Sequence, residues 1–300
     1  MPHYWTDRCS FVTGVVRFND LGYFVIQDDA IDPDEFPHSY FVIWDMANWY
    51  EASRKNWSTV SITVCKQPIE QMIAIGPYGE VFLAGSNDMH EETIGQGLYS
   101  PVHCGPLRKV RFIGAHAYAV GMGRQVYRRE GMQNWTCIDQ QMRPLQGQVK
   151  GFEAIDGFSE EDIYAVGWDG EIWQYDGRTW RERSSPTNLI LHDVCCTKDG
   201  EVYISGQAGL LLRGCGSKWE CIATDNLKTD IWSLAWYFDK LYISTFRGLF
   251  VLKDDKLELV DLGNDFPSTF YHLSSNNGVL WSIGRKDVMS YDGNTWTRID

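Results

Sequence analysis

Short apolar runs, each closed by a polar turn rich in Gly, Asp or Asn, recur along the whole chain. In Glu161–Glu182, EDIYAVGWDGEIWQYDGRTWRE, an apolar pentad, a Gly turn, a second aromatic run, an Asp-Gly turn and a Trp follow within 22 residues. Its IYAVG run returns as AYAVG (117–121), VYISG (202–206), LYIST (241–245) and LWSIG (280–284). VFLAG (81–85) is an earlier match and YFVIW (40–44) a weaker one. The second, aromatic position falls at Phe41, Phe82, Tyr118, Tyr164, Tyr203, Tyr242 and Trp281, with steps of 41, 36, 46, 39, 39 and 39 residues. A second marker follows 15 to 17 residues later at Trp57, Trp135, Trp180, Trp219 and Trp296, with Leu257 in the sixth slot.

Each unit divides into four short strands. In the fifth, ILHDVCCT, EVYISG, LLLRG and SKWECIA are separated by turns of the kind that join hairpins. The YISG-type run is apolar at consecutive positions, which requires burial on both faces. Four-stranded units of about 40 residues, buried on both faces, pack as sheets fanned around an axis. The expected fold is therefore all-β: a seven-bladed β-propeller of four-stranded antiparallel blades, one domain over residues 1–300. Blade 1 is expected at about 11–66, divergent, with the acidic loop Asp28–His38 and an extra strand, Phe11–Phe18, that seals the ring against the last blade. Blades 2–7 take about 69–300; six or eight blades stay open, because the count depends on this N-terminal region.

DIYAVGWDGEIWQYDGRTW and SIGRKDVMSYDGNTW resemble a group of bacterial propeller repeats, and SYDGNTW (290–296) is similar to a shortened Asp-box hairpin of sialidase-type propellers. The resemblance covers about residues 70–300 and implies the propeller fold, with the Asp and Thr bracing a turn and the Trp filling the gap between blades. It implies little about function, since one fold hosts many. The paired-Gly mark of kelch blades is absent, and Trp44-Asp45 and Trp168-Asp169 lack the Gly-His partner of WD repeats.

Composition supports this picture. The chain holds 13 Trp, 15 Tyr and 14 Phe, residue types that favour strands and flat packing surfaces. Its formal net charge is −13, which disfavours nucleic acid and acidic membranes and favours a basic partner. No apolar stretch approaches the length of a membrane span, and the N-terminus lacks the basic-then-apolar pattern of a secretory signal. The eight Cys include no CxxC pair and are expected as reduced thiols in a cytoplasmic protein.

Chemistry is sparse. The seven His form no metal-ligand spacing, the acidic stretch Asp28–Glu35 lacks the calcium-loop pattern, and no nucleotide or nucleophile-elbow motif occurs, so neither catalytic residues nor a metal or cofactor are expected. Loops joining second to third strands open on one rim of a propeller. The candidate partner-binding residues there are Arg124, Trp168, Asp169, Phe246, Arg247, Arg285 and Lys286, with His90 and Glu91 in the insertion Ser86–Glu92. Arg and Trp are common interface anchors; packing of Trp168 on a neighbouring loop is the competing reading. Arg124, Arg247 and Arg285 also suggest the carboxylate clamp of a sialidase, with Tyr175 and Glu171 as a nucleophile pair. The favoured expectation is a monomeric, non-enzymatic interaction module that binds and neutralises a basic protein, as an immunity protein caps a toxin. The alternative is a carbohydrate-binding lectin or a sialidase-type or lyase enzyme.

Overall fold

The computed structural model describes residues 4–95, 97–139, 142–145, 147–224 and 227–300. They form seven four-stranded antiparallel sheets, each paired in simple chain order, as a seven-bladed propeller requires. The chain divides into two compact units: Val60–Ile222, and the residues up to Thr59 together with Ala223–Asp300. Among the described residues no helix is long and apolar enough to cross a membrane.

The first unit carries blades 2 to 5. Blade 2 is Ser61–Cys65, Gln71–Ile75, Glu80–Gly85 and Asp88–Thr93. Blade 3 is Leu107–Ile113, His116–Gly121, Gln125–Gly131 and Asn134–Cys137. Blade 4 is Phe152–Ser159, Asp162–Gly167, Ile172–Tyr175 and Trp180–Arg183. Blade 5 is Leu191–Cys196, Val202–Gly206, Leu211–Cys215 and Lys218–Cys221. Within this unit the first strands of successive blades lie against one another. The second strands of blades 3 and 4 are buried at nearly every position, because each of these blades lies between two neighbouring sheets of the unit.

The second unit carries blades 1, 6 and 7. Blade 1 is Cys9–Phe18, Leu21–Asp28, Ser39–Asp45 and Asn48–Lys55. Blade 6 is Ile231–Tyr237, Lys240–Thr245, Leu249–Lys253 and Lys256–Leu259. Blade 7 is His272–Asn276, Val279–Ile283, Val288–Tyr291 and Trp296–Arg298.

Two sequence expectations need correction in register. In blades 3 to 7 the aromatic-apolar run is the second strand, as expected. In blades 1 and 2 the matched runs around Phe41 and Phe82 are third strands. Both strands of these blades are apolar, so the pattern alone cannot order them. The turns do: Met46-Ala47 and Ser86-Asn87 have φ of 46°, 63°, 53° and 62°, the left-handed geometry of a two-residue hairpin. Ser61–Cys65 accordingly opens blade 2 rather than closing blade 1. The Phe11–Phe18 stretch is not an additional strand but the body of blade 1's own first strand. It meets blade 7 sideways: Val16 N donates to Ser274 Oγ at 3.0 Å, and Asn276 Nδ2 donates to Arg17 O at 2.9 Å.

The periodic indoles occupy the seams between sheets. Trp135 packs against the core shared by blades 2 and 3, Trp180 against that of blades 3 and 4, and Trp219 against that of blades 4 and 5. Trp296 serves blades 6 and 7, stacked on Tyr291 at 4.7 Å. In blade 1 the equivalent indole is Trp49, which follows the hairpin and donates to Ile299 O at 3.1 Å. The Asp-Gly turns are braced by their Asp: Asp176 Oδ1 accepts from Thr179 N at 2.7 Å, and Asp292 Oδ1 from Thr295 N at 2.7 Å.

Candidate partner-binding site

In an antiparallel meander the loop from second to third strand and the connection from fourth strand to the next blade leave at the same end of the sheet. Within residues 60–222 this end carries Met122–Arg124, the Trp168–Gly170 turn and the Gln207–Gly209 turn, beside the long connections 94–106 and 138–151.

Arg124 and Trp168 are engaged with their own unit. The Arg124 guanidinium grips Glu171 with two bonds, Nε to Oε2 at 2.7 Å and Nη2 to Oε1 at 2.6 Å, and gives a third to Met142 O at 2.8 Å. It lies 5.2 Å from the Trp173 ring centroid. Lys150 Nζ adds contacts to Glu171 at 2.8 Å and to Asp169 at 3.0 Å. Burial disfavours the ionised Glu171, but the hydrogen bonds and charges of Arg124 and Lys150 outweigh it and hold its pKa below the usual range. Trp168 Nε1 donates to Glu153 at 2.7 Å. Asp169, at φ 56°, stays largely exposed on its turn. This cluster braces the loops.

The sequence singles out Glu171 only as the partner of Tyr175 in the sialidase alternative; its bracing role, and Lys150 altogether, go unread there. A Glu one residue past a WDG turn carries no motif, and its Arg and Lys partners come from blade 3 and the following connection. Tyr175 lies 5.0 Å from Trp180 in the blade core, and Glu171 is held by Arg124, Lys150 and Trp173. Among the described residues Tyr175 and Glu171 thus have separate partners. His90 and Glu91, expected in a rim loop, instead sit on the fourth strand of blade 2. His90 lies between Asp88 (2.9 Å) and Glu92 (3.4 Å), and the Glu91 carbonyl accepts from Gln133. The misplacement follows from the register error above.

In the other unit, Phe246 and Arg247 form the exposed second-to-third turn of blade 6, and Arg285 is exposed on that of blade 7. The two turns flank one segment: Phe270 N donates to Phe246 O at 3.0 Å, and Lys286 N donates to Thr269 Oγ1 at 3.4 Å. Lys286 is tied inward, with Nζ donating to Thr6 O and Cys9 O at 2.8 Å each and paired with Asp29. The acidic loop after Asp28 is blade 1's second-to-third connection, and Asp32, Asp34 and Glu35 on it are exposed. Among the described residues no cluster of three or more His, Cys, Asp or Glu could hold a metal ion.

Seven four-stranded antiparallel blades define the class: a β-propeller. Solved structures share this fold. YCF48 bound to D1 peptide aligns over 93% of this chain and 90% of its own, with a TM-score of 0.68 at 13% identity. The WD40 β-propeller domain of Doa1 aligns over 95% and 92%, with a TM-score of 0.67 at 10% identity. These likenesses establish the fold alone. No family model matches the chain. Immune protein Tsi7 of Pseudomonas aeruginosa is 48% identical over 297 residues, 97% of either chain. The chain belongs to the family of that immune protein.

Proposed function

We propose that this chain is an immunity protein that binds a cognate toxin protein with a basic surface and neutralises it by capping it. The observation that carries this reading is the full-length identity of 48% to immune protein Tsi7, which leaves no blade without its counterpart. The physical features agree with it. A net charge of −13 steers a basic partner toward the chain and speeds capture. Each blade is a hydrogen-bonded four-stranded sheet, so little ordering entropy is lost within it on binding. On this reading the protein works as a cytoplasmic monomer, and exposed second-to-third turns, Asp169 in one unit and Phe246, Arg247 and Arg285 in the other, are candidates for contact with the partner.

The test uses the product of the reading frame beside this chain's own. Expressed alone in a bacterial host it should arrest growth; co-expressed with this chain, growth should recover and the two should purify as one complex. A neighbouring product that neither arrests growth nor binds, or arrest that persists at equal expression, overturns the reading.

A further inference from the structure

Within residues 60–222 the connections from blade 2 to blade 3 and from blade 3 to blade 4 are longer than a tight turn needs. The first carries two short helical turns, Gly97–Tyr99 and Pro101–Cys104. Between them lies an open cavity of about 380 Å³, lined by His103, Cys104, Met122, Arg143, Leu145 and Val149 among others.

The floor of this cradle is tightly built. Met122 bridges to Gly151, Met122 N donates to Pro106 O at 2.9 Å, and Gly123 N donates to Lys150 O at 2.7 Å. A Cβ on Gly123 would stand 2.6 Å from Cys104 O, and one on Gly151 would stand 2.5 Å from Met122 Cα. The apolar residues of the lining are the opposite: Leu145 and Val149 are 76% and 64% exposed, and Leu98 and Val102, on the nearby helical turns, are 77% and 66% exposed. Two large apolar side chains bare in the lining, with two more bare on the adjoining segment, are a costly surface for a chain that works alone.

The charges at the cradle are already matched. Arg143 donates to Asp139 Oδ1 at 2.8 Å and to Cys104 Sγ at 2.7 Å, and lies over the Tyr99 ring at 4.8 Å. Lys150 and Arg124 hold Glu171, and Arg108 faces Glu153 at 3.5 Å. Four cations thus meet Asp139, Glu153, Asp169 and Glu171. The patch is neutral on a chain of net charge −13. An apolar, charge-balanced, pre-shaped recess on a strongly acidic chain suits an apolar side chain carried by a basic protein.

We propose that the cradle lined by His103, Cys104, Met122, Arg143, Leu145 and Val149 is the docking pocket for an apolar anchor side chain of a basic partner protein. This rests on the immunity reading and assigns it a surface. The chain's net negative charge governs encounter, and the cradle governs residence.

The test measures binding of the neighbouring-frame product to the wild-type chain and to Leu145→Asp, Val149→Asp and Leu145→Ala. Leu259→Asp, on the outer strand of blade 6, is the control, with melting curves confirming that every variant folds. The Asp variants should weaken binding by about thirty-fold or more, chiefly through faster dissociation, and Leu145→Ala by less. Leu259→Asp should bind as wild type, and added salt should slow association in all of them. Wild-type binding that the cradle variants leave unchanged overturns this surface alone. A wild-type chain that does not bind at all overturns the immunity reading and this surface with it. A wild-type dimer that Leu145→Asp dissociates assigns the cradle to a second copy and overturns the proposal.

Discussion

Arg129 and Glu92 form a two-pronged ion pair in the seam between blades 2 and 3, Nη2 to Oε1 at 2.6 Å and Nε to Oε2 at 2.9 Å, with side chains 5% and 0% exposed. Trp135 Nε1 completes the acceptor set of Glu92 at 3.0 Å. One blade's third-strand Arg thus reaches the preceding blade's fourth strand, and the seam's indole shares the same carboxylate. Removing one partner strands a buried charge. Glu92→Ala should cost roughly 3–5 kcal/mol in urea unfolding. The double variant Glu92→Leu, Arg129→Met should cost clearly less than Glu92→Ala, since it leaves no unpaired charge.

The acid response follows from three carboxylates. Burial opposes ionisation of Glu92, Glu171 and Asp287, but hydrogen bonds from Arg129, from Arg124 with Lys150, and from Arg298 with Ser268 and Thr269 hold each pKa below its usual value. Their stabilisation is complete above the unfolded carboxylate values of about 4 and is lost as pH falls through the lower folded values. Asp300 runs the other way, its pKa raised by burial, and softens the loss. Melting temperature should therefore fall steeply below about pH 4. Glu171→Gln should flatten that fall while lowering the melting temperature near neutrality.

Gly22 lies under the ring of Trp281, which is fully buried, stacked on Phe24 at 5.2 Å and edge-on to Trp44 at 5.4 Å. A Cβ at Gly22 would stand 2.2 Å from Trp281 Cζ3. Gly22→Ala should therefore destabilise by about 1–3 kcal/mol, as overpacking does. Trp281→Phe in the same chain should recover part of that loss, and a purely additive pair of effects would refute the contact as the cause.

The eight thiols differ in access: Cys215 and Cys221 are exposed, Cys104, Cys137 and Cys196 half-buried, and Cys9, Cys65 and Cys195 buried. Burial also pushes the Cys9 and Cys65 thiols up. A thiol reagent on the native chain should consume two groups in its fast phase, the half-buried ones more slowly, and the rest only on unfolding. Eight equivalents consumed at once would contradict the packing.

The blades from the third to the seventh were legible because their second strand is buried on both faces and their fourth carries a large residue one sheet-width outward. Those two burial demands write a period into the chain that survives different loops. Blades 1 and 2 were misregistered by one strand because two adjacent strands there are equally apolar, and only the left-handed turns at Met46-Ala47 and Ser86-Asn87 order them. Exposed turn residues such as Phe246, Arg247 and Asp169 could be placed from sequence, since a hairpin tip has one position.

What side chains do across blades could not. Arg124 turns inward because Glu171, 47 residues later, is brought within hydrogen-bond distance by the neighbouring sheet. Arg129 finds Glu92 in the same way, and the cradle exists only where two connections far apart in sequence lean over one floor. Periodic burial is a local property, and the chain alone determines it. The pairing of charges and the shape of a recess depend on which residues meet through space, and only the folded sheets decide that.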